Sequence, residues 1–192
     1  MMTRLRITML ALLAASTFPA IAQNTWTIDP VHSQANFEVR HLSVTTVRGA
    51  ITNVTGTVVW DPKDPSKDKV DAVLDATTVN SGNAYRDKDV RGETLFNIEK
   101  FPTLTFKSTS ASRSGKGVKV TGELTLAGVT KTVVLDVVGP AAPQKGQQGG
   151  LVTGLEATTT IKRADFNFGS KYPNAVVSDE VKITLDVEMD QK

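Results

Sequence analysis

Apolar and polar residues alternate one for one in about eight separate stretches of this chain. A period of two puts successive side chains on opposite faces of an extended backbone, so each stretch is a β-strand with one wet and one dry face. Ala35-Asn36-Phe37-Glu38-Val39-Arg40-His41 shows the rhythm, with Ala35, Phe37 and Val39 facing one way and Asn36, Glu38 and Arg40 the other. His41 falls on the apolar side of that row. Similar rows run through Ala50 to Trp60, Val70 to Ala76, Thr103 to Lys107, Val118 to Leu126, Thr132 to Val137, Leu155 to Ile161 and Val181 to Met189.

One-sided strands joined by short turns form antiparallel sheets. Ala127-Gly128-Val129-Thr130 reads as a hairpin turn, and Pro140 to Gly150 as a flexible surface loop. Residues 84–97 break the rhythm: they read as a short helix capped by Asn83, with Gly92 weakening its middle. About eight one-sided strands must bury their apolar face, and a closed barrel does so while leaving an interior that is either filled or open to one small ligand. The inward rows carry small residues (Ala35, Ala72, Ala76, Gly122, Ala157 and Thr159), and aromatics make up only 6% of the chain. Few rings remain to fill the centre, so an apolar hollow is expected. An aliphatic lining without charge suits a long apolar ligand and not a sugar or peptide.

The ends and the composition set the context. Arg4 and Arg6, the apolar run from Ile7 to Ala15, and Ala20-Ile21-Ala22 make the three parts of a secretory signal peptide over residues 1–22. The remainder, 23–192, is expected to be one exported, periplasmic domain. The signal is too short to span a bilayer, and no later segment is apolar enough to do so. The net charge is +2; without Arg4 and Arg6, basic and acidic residues are equal in number. No basic stripe with interleaved aromatics is present, which argues against nucleic acid. The chain has no cysteine, which removes disulfides, thiol catalysis and iron–sulfur clusters.

Several segments together resemble the YceI-like family. They are Trp26-Thr27-Ile28-Asp29-Pro30-Val31-His32-Ser33 with Phe37-Glu38-Val39-Arg40-His41; Arg86-Asp87-Lys88; Phe101-Pro102-Thr103-Leu104-Thr105-Phe106; Leu124 to Lys131; and Ala164-Asp165-Phe166-Asn167-Phe168-Gly169. The resemblance covers nearly the whole exported chain, in order. It implies an all-β, eight-stranded antiparallel, lipocalin-like barrel with a short helix between strands. It also implies a cavity holding a polyisoprenoid chain, such as a polyprenyl phosphate or a quinone-like lipid, with no other cofactor. One stretch departs from the family pattern: Asp89 stands where a histidine is usual, and Thr94-Leu95 where Asp-Phe is usual.

Phe37, Val39, Leu74, Phe106, Leu124, Phe166 and Leu185 are the expected cavity-lining residues, with ordinary core packing as the competing role. His41 is either a ligand contact or a structural hydrogen-bonding group at the rim. Arg86 and Arg91 have guanidinium forks suited to a phosphate, although a solvated helix face with a weak Arg–Asp pair is the favoured reading. His32 is read as part of a structured turn. A metal site is not expected, since catalytic zinc normally takes three protein ligands and the two histidines show no ligand-spaced motif. The functional expectation is a carrier of an isoprenoid lipid, not an enzyme; the alternatives are an enzyme using His41 as acid or base, and an interaction scaffold. The oligomeric state is open, a homodimer included.

Overall fold

The computed structural model describes residues 25–147 and 149–191. The signal-peptide expectation and the start near Gln23 fall outside them. Among the described residues eleven antiparallel strands form one sheet. They are β1 (Thr25–Ile28), β2 (Gln34–His41), β3 (Thr45–Ile51), β4 (Val54–Val59), β5 (Lys69–Asp75), β6 (Thr103–Ser114), β7 (Gly117–Leu126), β8 (Val129–Val138), β9 (Gln144–Lys145), β10 (Leu151–Lys162) and β11 (Val177–Gln191).

The sheet closes because β11 bonds β10 on one side and both β2 and β1 on the other. β1 and β2 lie end to end along β11, interrupted by Asp29 to Ser33. β3 and β4 likewise form one broken stave, bonded to β2 and β1. The two-residue β9 only prolongs the row of β8 along β10. The result is the expected closed barrel of eight staves with one short helix.

Two ends of this barrel differ. The β2–β3 turn, the β5–β6 connection, the β7–β8 turn and the β10–β11 connection share the upper end, as the registers require. The β5–β6 connection carries helix α1 (Ala84–Arg91), whose N-cap Asn83 accepts from Arg86 N at 3.0 Å. The helix stops at Arg91, short of the 84–97 expectation. Gly92 is its C-cap and not a weak middle, and Phe96 turns down into the core. The hairpin at Ala127-Gly128 has positive φ at both residues, 48° and 81°, which twists it to match the flanking strands. At the lower end Phe106, Ala111, Val118, Val120, Val137 and Ala157 pack into a solid cluster, and Trp26 and Met189 are buried as well. Among the described residues no helix is long and apolar enough to cross a membrane.

Candidate functional site: an apolar cup with a polar rim

Above the lower cluster the barrel encloses a cavity of about 440 Å³. Its wall is built by the inward rows of the strands. Phe37 and Val39 of β2, Leu74 of β5, Phe106 of β6, Leu124 of β7 and Leu185 of β11 all line it. Two glycines explain why the aromatic rings leave space. Phe37 sits opposite Gly49 across the β2–β3 ladder. A Cβ on Gly49 would lie 2.4 Å from Phe37 Cζ, so the ring lies flat over the bare backbone. Phe106 does the same over Gly122, also at 2.4 Å. The rings hug the wall and the centre stays hollow. The small residues divide: Ala35, Ala72 and Thr159 line the cavity, whereas Ala76 and Ala157 are packed away from it.

The polar residues gather at the upper end. His41, the last residue of β2, pairs with Thr45 and Val177 and lines the rim. Its imidazole has no hydrogen-bond partner among the described residues. Ser81, Arg86 and Asp89 face the rim from α1 and the segment before it. Arg86 donates from Nε to Ser81 Oγ at 2.8 Å and from Nη2 to Ser81 O at 2.7 Å. Asp87 completes the lock by accepting from Ser81 N at 2.8 Å and from Ser81 Oγ at 2.5 Å. This leaves Arg86 Nη1 without a partner among the described residues. Arg91 has another role: its Nε and Nη2 donate to Thr77 O and Val79 O, at 3.0 and 2.5 Å, and tie the helix to the barrel. It does not line the cavity, which removes it from the phosphate pair.

Phe166 also requires correction. It lies in a 3-10 turn (Arg163–Phe166), is 2% exposed, and packs in the main core instead of on the cavity wall. The strand alternation ends at Lys162, so parity no longer predicts direction beyond it. Phe168 lines the cavity in its place and meets Phe96 edge-on, centroids 4.9 Å apart.

One residue absent from the sequence expectations organises the rim. Arg163 is 5% exposed and donates to five backbone carbonyls (Phe168, Gly169, Tyr172, Val177 and Ser178) and to Asn174 Oδ1, at 2.6 to 3.3 Å. Among the described residues no carboxylate pairs with it. The charge is stabilised by carbonyl dipoles, and the β10–β11 segment is wrapped around it. It opens the 3-10 turn just past the end of β10, where the strand alternation has stopped, so no local pattern announced it.

A cup with greasy walls and a polar lip fits an amphiphile: a tail below and a head group above. The comparisons with known proteins agree with this architecture. Residues 26–189 match the YceI-like domain model. A UPF0312 protein of Yersinia pestis (strain Pestoides F) is 37% identical over 161 residues, 82% of this chain and 80% of the relative. Protein YceI of Salmonella newport is 38% identical over 161 residues, 82% and 81% of the two chains. Among solved structures, Burkholderia cenocepacia BcnA superposes with a TM-score of 0.74 at 24% identity, covering 84% of this chain and 98% of that one. A polyisoprenoid binding domain from Saccharophagus degradans superposes with a TM-score of 0.65 at 17% identity, covering 88% and 99%. The chain therefore belongs to the YceI-like family.

Proposed function

We propose that this protein is a periplasmic carrier that shelters the tail of a long isoprenoid lipid inside the barrel, with the lipid head group at the rim beside His41 and Arg86. The observation that carries the reading is the apolar cavity of about 440 Å³ with its polar residues confined to the upper end. Burial of tail surface is worth about 25 cal/mol per Å² before ordering costs, so affinity needs few polar contacts. The polyisoprenoid-binding description of the Saccharophagus degradans relative supports the same ligand class. The signal-like residues 1–22 support export.

Binding is favoured over catalysis by the surroundings of His41. An acid–base histidine is ordinarily oriented by a third group, and no described residue makes a hydrogen bond to the His41 ring, which lines the rim. The test is organic extraction of the purified protein followed by mass spectrometry. An isoprenoid lipid near one per barrel is expected. Thr159→Trp, which projects into the cavity, should lower that occupancy while circular dichroism still reports the barrel. Full occupancy in the folded variant refutes the placement of the tail.

A further inference from the structure

The outer surface of the barrel carries a second cluster, at the break between β1 and β2. Asp29 follows β1, His32 lies in the interruption, and Glu188 is on β11. His32 Nδ1 is 2.6 Å from Asp29 Oδ2 and 3.3 Å from Glu188 Oε1. The three ligating atoms all lie within 4.8 Å of one another. Their supports are largely fixed. Asp29 N donates to Glu188 O at 2.9 Å, and Glu188 N donates to Ser33 Oγ at 3.0 Å. Val31 N holds Asp29 Oδ1 at 2.7 Å, which aims Oδ2 at the imidazole.

We propose that Asp29, His32 and Glu188 form a binding site for a borderline divalent cation of the Zn²⁺ type, separate from the lipid cavity. The donor set decides the metal class. One imidazole with two carboxylates suits Zn²⁺ and its first-row neighbours. Ca²⁺ and Mg²⁺ take oxygen ligands, so a set led by imidazole does not favour them. The two separations from the imidazole need little change. Zinc bonds of about 2.0–2.2 Å place tetrahedral ligands roughly 3.4 Å apart. The His32–Glu188 separation already matches, and the His32–Asp29 separation has to widen by less than about 1 Å on that scale. His32 is 61% exposed, so the solvent side of the cluster is open for a fourth ligand.

Charge argues in the same direction. Two carboxylates converge on a single nitrogen, and Asp190 adds to the negative field there. A protonated imidazole supplies one positive charge against them; a divalent ion supplies two. Asp29 and His32 stand three residues apart in the sequence, but Glu188 arrives from the opposite end of the chain. No local spacing motif announces the third ligand.

The protein has two histidines, which makes the test clean. The metal-stripped protein is titrated with Zn²⁺ by calorimetry, with Co²⁺ by its visible absorption, and with Zn²⁺ while the imidazole signals are followed by NMR. One equivalent is expected, with His32 signals shifting and His41 signals unmoved. His32→Ala should weaken binding at least tenfold, and Glu188→Gln, which keeps the side-chain size, should weaken it measurably. Either variant with unchanged affinity overturns the site, as does unsaturable uptake or a shift confined to His41. Lipid occupancy should be the same with and without the ion, which separates this proposal from the carrier reading.

Discussion

Asp68 offers a quantitative test of how the closed end is held. It follows a 3-10 turn (Pro65–Lys67) and is 4% exposed. Its Oδ1 accepts from Asp61 N at 2.8 Å, while Oδ2 is buried without a hydrogen-bond partner among the described residues. Burial pushes the carboxyl up from 3.8 to about 6, reinforced by Asp61 and Asp64 and opposed by the Asp61 amide and Arg113. The folded form therefore binds this proton more tightly than the unfolded chain does. Stability contributed by the neutral acid is present below pH 4, falls as the pH rises through the interval from about 4 to 6, and levels off above. At about 1.4 kcal/mol per pH unit the full effect is roughly 3 kcal/mol, and relaxation around the charge brings the expected value to about 1–3 kcal/mol. Asp68→Asn keeps the oxygen that receives Asp61 N and cannot ionise. Urea unfolding followed by tryptophan fluorescence from pH 4 to 7.5 should show the stability gap between variant and parent moving in favour of asparagine by about 1–3 kcal/mol as pH rises. Parallel curves across that range would refute the assignment of a strained buried carboxylate.

Two further substitutions test the cavity. Gly49→Ala places a methyl 2.4 Å from Phe37 Cζ and 2.6 Å from Asn80 O, so the ring must tilt inward; a loss of about 1–3 kcal/mol is expected in denaturant unfolding, together with reduced lipid occupancy. Arg163→Met strips the donors from a buried carbonyl cage. It should cost about 3 kcal/mol or more and expose the amides of the segment leading into β11 to faster hydrogen exchange; retained protection there would show that the segment is held by other contacts.

The barrel was legible because its inner and outer faces differ in polarity along most staves. Where the contrast fades, so did the reading. β1 offers only Trp26 and Ile28 as buried positions, and β3 begins with two threonines, so neither stood out as a strand. β6 runs on to Ser114 through a serine-rich stretch whose register slips between Ser108 and Ser110, which scrambles the alternation. Wall residues such as Val39 and Leu185 followed from parity on regular strands. Phe166 did not, because a 3-10 turn obeys a different period. The helix end was misplaced because extended backbone at Gly92 stops the helix outright. The ligand set around His32 needed contacts between the two ends of the chain, which no local pattern encodes.

The packed layer of Val118, Val120, Val137 and Ala157 beneath the hollow gives the barrel a bottom. A vessel with a bottom measures what is poured into it. A hydrocarbon chain shorter than its depth wastes wall; a longer one must double back or trail out over the lip into water. Affinity should thus peak at one tail length, and shaving a floor valine to alanine should move that optimum toward longer chains.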